Sequence, residues 1–126
     1  MKSIYFSSKV KYAQSWIDWK DRGVNVISTW IYEADKGQSR DLPDLAQRCI
    51  TEPSKADATI LYCKQGEHLK FALAEVGAAL AYGKIVFVIG DCESISSTMM
   101  HHPLIRKVES VPKALQQLGY NTDTLN

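Results

Sequence analysis

The sequence carries almost no net charge and no long apolar segment. Its 126 residues include 15 Lys and Arg against 14 Asp and Glu, a formal net charge of +1. No broad electrostatic field therefore favours nucleic acid or an anionic membrane as a partner. No apolar run reaches the length of a transmembrane helix, and residues 1–6 lack the apolar stretch of a signal peptide. We expect a cytoplasmic protein with no nucleic-acid partner and no membrane partner.

Cysteine and histidine are scarce, with three residues of each type. Cys49, Cys63 and Cys92 are odd in number and widely spaced, and no CxxC or Cys/His pattern indicates a zinc site. We interpret them as reduced thiols, because disulfides are rare in the cytosol. His101 and His102 are adjacent and would diverge on a helix, so the sequence predicts no metal site.

The common motifs of nucleotide sites and hydrolase sites are absent. No GxGxxG follows the first apolar segment, and no GxxxxGK[ST] occurs anywhere, which argues against a Rossmann dinucleotide site and a P-loop. No GxSxG is present either, so a serine nucleophile elbow is excluded. We therefore expect the protein to work without a cofactor.

Short β-branched or apolar runs alternate with segments of helical periodicity. The pattern predicts strands at residues 3–7, 24–29, 57–63, 85–90 and 105–108. It predicts helices at residues 9–22, 42–50, 71–82, 94–101 and 111–118, with Pro53 ending the second. Such alternation is typical of βαβ units. We expect one domain over residues 1–126, an α/β fold with a Rossmann-like or flavodoxin-like doubly wound parallel sheet of about five strands and helices on both faces.

The predicted helix at residues 71–82 has a distinctive composition. Glu75 is followed by Gly77, an alanine-rich turn at 78–81, the pair Gly83-Lys84 and an apolar strand. This segment resembles the nucleoside 2-deoxyribosyltransferase superfamily. Near the amino terminus, SIYFSS at residues 3–8 is similar to the first strand of the 2′-deoxynucleoside 5′-phosphate N-glycosidase branch. The resemblance extends over about residues 3–119.

The resemblance implies an activity at the N-glycosidic bond of a nucleoside or a nucleoside 5′-monophosphate. Glu75 would be the nucleophile that attacks the anomeric carbon and expels the base, and Tyr5 would orient it. An aspartate would protonate the leaving base, with Asp41 and Asp44 as the candidates. The resemblance also implies a homodimer or a higher homo-oligomer. The alternative is a non-catalytic nucleotide-binding module of the same fold.

Ligands of doubly wound sheets bind beyond the carboxyl ends of the strands. Substrate-binding candidates therefore come from the loops at these ends and from the resemblance. They are Ser7, Ser8, Lys9, Trp30, Gly66, Phe71 and Asp91. Two positions depart from the family pattern, because Phe71 stands where a small residue is usual and Leu69 where an aspartate or serine is usual.

Ordinary structural roles compete with each of these assignments. Glu75 could be a solvated or ion-paired side chain of an amphipathic helix. Tyr5 and Trp30 could be core aromatics, and Ser7 or Ser8 could cap a helix. If all of these roles were structural, the chain would be a small α/β interaction protein.

Overall fold

The computed structural model describes residues 1–33 and 41–123. Its centre is a sheet of four parallel strands in the order β1-β2-β3-β4. They are β1 (Ile4–Ser7), β2 (Ala58–Tyr62), β3 (Ile85–Ile89) and β4 (Ile105–Val108). Each strand passes to the next through at least one helix, as parallel neighbours require. The predicted α/β fold with a parallel sheet is confirmed.

Five α-helices accompany the sheet within the described ranges. They are α1 (Ala13–Asp21), α2 (Leu42–Lys55), α3 (Phe71–Ala81), α4 (Ser97–Met100) and α5 (Val111–Gln117). Short 3₁₀ turns at Val10–Tyr12 and Trp30–Tyr32 precede α1 and α2. In the part of the chain that the structure describes, no helix combines the length and the apolar character that spanning a bilayer requires.

Alternate side chains of β1 point to opposite faces of the sheet, which is the period-two property of a strand. Phe6 faces α1, where its ring stacks on Trp16 with 4.2 Å between the ring centroids. Tyr5 and Ser7 face the opposite way and meet Glu75 of α3. Helices therefore cover both faces, and β1 delivers two hydroxyl groups to one of them.

The prediction of about five strands is corrected to four, because residues 24–29 do not form one. This segment runs beside β1 but joins it through a single parallel bridge between Ile4 and Val26. One step further along, the Phe6 N–H donates to the Ser28 side-chain oxygen at 2.7 Å instead of to a backbone carbonyl. The ladder stops there, and the chain turns into the 3₁₀ segment Trp30–Tyr32.

The prediction that Pro53 ends the second helix is wrong. α2 begins as expected at Leu42, with the Asp41 carboxylate accepting from the Asp44 N–H at 3.1 Å, but it continues through Pro53 to Lys55. A proline removes one helical hydrogen bond. The Pro53 ring is among the most completely buried side chains, so its packing offsets that loss.

Candidate active site

Within the described ranges, Glu75 is the one charged side chain that is buried, with 6% of its surface exposed. It lies in the second turn of α3, a helix whose small residues allow close approach to the sheet. The Tyr5 hydroxyl donates to one carboxylate oxygen, Oε2. The Ser7 hydroxyl donates to the other, Oε1, at 3.0 Å. Both oxygens of the carboxylate are thus held by neutral donors from a single strand.

The protein environment raises the pKa of Glu75 to about 7. The largest cause is burial, which disfavours the charged form of a carboxyl group, and the nearby Glu52 carboxylate adds to it. The hydrogen bonds from Tyr5 and Ser7 act in the opposite direction, because they stabilise the carboxylate. Burial, followed by the charge of Glu75, raises the pKa of Tyr5 far above its ordinary value, so this phenol stays a proton donor.

Glu75 lines a cavity of about 350 Å³. Its walls come from the loop after β1, the Trp30–Tyr32 turn, one side of α2 and the start of α3. The lining residues are Ser8, Val10, Trp30, Glu33, Leu42, Leu45, Ala46, Cys49, Phe71 and Glu75. An apolar cavity with a few convergent polar groups and a perturbed carboxyl group is the usual form of a small-molecule site.

Ser8, Trp30 and Phe71, three of the predicted substrate-binding residues, line this cavity. The indole Nε1 of Trp30 donates to the Phe6 carbonyl at 2.9 Å, which fixes the ring as part of the wall. The Ser8 hydroxyl accepts from Nε1 of Trp16 at 2.9 Å and donates to the Lys9 carbonyl. Phe71 is 48% exposed at the cavity rim.

The predicted acids, Asp41 and Asp44, are not among the residues that line the cavity. Asp41 caps α2, and Asp44 forms an ion pair with Arg48 at 2.9 Å. The other carboxylate at the cavity is Glu33, which Arg48 contacts through two nitrogen atoms at 2.7 and 3.1 Å. Hydrogen bonding to Glu33 is the main cause that raises the pKa of Arg48, so its guanidinium stays charged.

Three other predicted residues lie elsewhere. Lys9 is half-buried at the start of the Val10–Tyr12 turn, outside the cavity lining. Gly66 has φ of +84° in the loop between β2 and α3, a conformation that favours glycine for backbone reasons alone. Asp91 pairs with Lys107 at 3.5 Å beside a separate cavity of about 190 Å³.

Leu69, which stands where the resemblance would place an aspartate or a serine, belongs to the core. It is 5% exposed and packs in the cluster beneath α3. Its N–H donates to the Ser94 hydroxyl at 2.9 Å, which joins the loop after β2 to the loop after β3. An aspartate or serine at position 69 could contact a ligand only if its side chain pointed away from this apolar cluster.

Cys49 is a cavity residue that the sequence interpretation missed. It lies on α2 and lines the cavity together with Glu75. Burial, and after it the charge of Glu75, raises the pKa of Cys49 to about 11, so the thiol is neutral. The signal was present in the helical spacing of positions 42, 45, 46 and 49, which places them on one side of α2.

No group of three or more His, Cys, Asp or Glu side chains is placed to hold a metal ion within residues 1–33 and 41–123.

Neither a protein-family model nor a curated protein sequence matches this chain. Solved structures do. One is the 2-deoxyribosyltransferase of the psychrotolerant bacterium Bacillus psychrosaccharolyticus, with a TM-score of 0.64 and 19% identity over 97% of this chain and 94% of that one. Another is the CMP N-glycosidase of Clostridium botulinum, with a TM-score of 0.56 and 16% identity over 93% and 97%. The chain shares the fold of these two proteins across nearly its whole length.

Proposed function

We propose that this chain belongs to the nucleoside 2-deoxyribosyltransferase superfamily and cleaves the N-glycosidic bond of a nucleoside or nucleoside 5′-monophosphate, with Glu75 as the nucleophile. The observation that carries the proposal is the buried Glu75 carboxylate, held by Tyr5 and Ser7 at the cavity. The two structural relatives support it, because one is a 2-deoxyribosyltransferase and the other a CMP N-glycosidase.

In the proposed reaction, an ionised Glu75 oxygen attacks the anomeric carbon and the base departs with the electrons of the C–N bond. The sugar is then bound to Glu75 as an ester until water or a second base displaces it. Tyr5 and Ser7 hold the carboxylate in one orientation, which lowers the cost of reaching the transition state. Water yields hydrolysis, and a second base yields transfer.

The leaving base also has to be protonated as it departs. Asp41 and Asp44 keep that role as predictions from the resemblance, although neither lines the cavity. Glu33 does line it, but its carboxylate is engaged by Arg48.

A non-catalytic nucleotide-binding module is the second candidate function, and Phe71 is the observation that favours it. This ring lines the cavity together with Glu75, at a position where the resemblance would have a small residue. Such a protein would bind nucleosides or nucleotides in the same cavity without turnover.

A panel of nucleosides and 5′-monophosphates, assayed for free base by chromatography with and without a second base as acceptor, separates the two functions. We expect base release from at least one compound of the panel. When water is the acceptor, free sugar or sugar phosphate should form in an amount equal to the base. Binding detected by calorimetry without any base release would contradict the enzyme and favour the binding module. If neither base release nor binding were detected, the result would favour the small α/β interaction protein.

Replacing Tyr5 by Phe should shift the pH dependence of the reaction. The hydrogen bond from Tyr5 lowers the pKa of Glu75, so its loss raises that pKa above the wild-type value of about 7. Because the ionised form attacks, the acid limb of kcat/KM moves to higher pH, and kcat/KM near neutral pH falls roughly tenfold or more. Tyr82→Phe, at a side chain 70% exposed, is the matched control. An unshifted acid limb would show that Tyr5 does not act on Glu75.

We also propose that the protein is a homo-oligomer. Three apolar side chains of the cavity lining are largely exposed, namely Val10 at 55%, Leu42 at 56% and Phe71 at 48%. Exposed apolar patches of this kind often mark association surfaces. Light scattering coupled to size exclusion should give a mass above that of one chain, and Leu42→Glu should lower it. A monomeric wild type would overturn the proposal.

A further inference from the structure

Two cysteines follow neighbouring strands at one edge of the sheet, and neither lines the Glu75 cavity. Cys63 directly follows β2, and Cys92 lies three residues after the end of β3. Because β2 and β3 are parallel neighbours, their carboxyl ends lie at the same edge. Cys63 belongs to the apolar cluster beneath α3, and the Cys92 side chain packs against the same cluster. Both are free thiols in this structure.

The backbone around the two thiols is already held in close contact. Gly90 has φ of +89°, and a Cβ there would collide with the Cys63 carbonyl oxygen. The Cys63 N–H donates to the Ile89 carbonyl at 3.1 Å. The hydrogen bond between the Leu69 N–H and the Ser94 hydroxyl joins the same two loops on their outer side. A covalent bond between the thiols would therefore connect loops that the reduced protein already holds together.

The two cysteines differ in access. Cys92 is partly exposed and lines the cavity of about 190 Å³, beside Gly90 and Met100. Cys63 is 1% exposed, and its Sγ lies 3.6 Å from the Lys64 carbonyl and 3.8 Å from the Glu67 carbonyl. A reagent in solvent therefore reaches Cys92 before Cys63.

We propose that Cys63 and Cys92 form a reversible intramolecular disulfide when the protein meets a small-molecule disulfide, and that Cys92 is attacked first. In the first step the Cys92 thiolate attacks one sulfur of the reagent and releases one equivalent of its thiol. In the second step Cys63 loses its proton to solvent, attacks the Cys92 sulfur and releases the second equivalent. The reagent gains two electrons and two protons, and the two cysteines lose them.

Burial is the main cause that raises the pKa of the Cys63 thiol to about 12. This makes Cys63 a poor first nucleophile and supports the order of the two steps, since the thiolate is the reactive form. Cys49, the remaining thiol, lines the other cavity and has no cysteine neighbour there among the described residues.

The disulfide would close the chain between residues 63 and 92, a segment that contains α3 and β3. Closing such a loop restricts the unfolded chain and so stabilises the folded one. We expect the melting temperature to rise by roughly 5–10 °C on oxidation and to return on reduction. The proposal does not depend on the proposed activity, because none of its steps involves Glu75.

The test treats the reduced full-length protein with oxidised glutathione under native conditions and measures intact mass, followed by peptide mapping without reductant. Wild type and Cys49→Ser should both lose two hydrogen atoms and yield a peptide pair that joins Cys63 to Cys92. Cys63→Ala should stop at a stable glutathione adduct on Cys92. Cys92→Ser should remain largely unmodified.

Several results would overturn the proposal. They are a wild-type glutathione adduct that never converts to the disulfide, a cross-link that involves Cys49, and a wild type that is unreactive while folded. Circular dichroism of each variant verifies that it is folded before treatment, and Cys63→Ser provides a second substitution at the buried position.

Discussion

Replacing Glu75 by Gln should abolish base release while the protein remains folded. The amide has nearly the shape of the carboxylate and can still accept from Tyr5, but it cannot form the glycosyl ester. We expect kcat to fall by ~10³-fold or more, as for the loss of a nucleophile in other enzymes. The measurement is initial-rate base release with the best substrate of the panel, together with a binding assay that should show retained affinity.

Glu109→Gln makes the same chemical change at an exposed residue of the loop after β4, and it should leave the rate unchanged. A Glu75→Gln protein that retained a tenth or more of the wild-type kcat would exclude Glu75 as the nucleophile. In that case the hydroxyl donors around it would have only a structural role.

Replacing Glu75 by Gln should also stabilise the folded protein, but only at a pH above the ordinary pKa of glutamate. Glu75 has its pKa raised from 4.5 to about 7, so the folded state binds this proton more tightly than the unfolded state. Below about pH 4.5 the Glu75 side chain is protonated in both the folded and the unfolded state, so it does not reduce the free energy of unfolding. As the pH rises to about 7 the unfolded chain ionises first. The free energy of unfolding therefore falls, by up to about 3 kcal/mol.

Glutamine does not titrate, so Glu75→Gln escapes that loss. Its melting temperature should exceed that of the wild type by roughly 5–10 °C near pH 8 and by little near pH 4.5, as measured by calorimetry. A gap that stayed constant with pH would mean that the Glu75 carboxylate is not desolvated. A less stable variant near pH 8 would contradict the raised pKa itself.

The parts of the site that lie on helices and strands could be predicted from local sequence patterns. The alanine-rich segment around Glu75 predicts α3 from composition, and SIYFS predicts β1, whose alternation places Tyr5 and Ser7 on one face. That these two elements are in contact came from the resemblance and not from the pattern, since their residues are about seventy positions apart.

The remainder of the site depends on tertiary contacts that no local pattern encodes. Residues 24–29 have strand composition, yet a single Ser28 hydroxyl replaces the backbone partner and ends the ladder. Asp44 resembles a free acid in the sequence but is paired with Arg48, and Glu33 lines the cavity instead. The polar segment at residues 30–40 predicts a loop, and residues 34–40 of it lie outside the described residues.

The most direct test of Glu75 as a nucleophile is the anomeric configuration of the first product. With methanol present as a competing acceptor, the wild-type protein and a β-nucleoside that it cleaves should yield the β-methyl glycoside, observed by NMR before it equilibrates. Attack by Glu75 and then by methanol inverts the anomeric carbon twice, so the configuration is retained. Formation of the α-methyl glycoside would show a single displacement without a glycosyl ester, and would contradict the central claim.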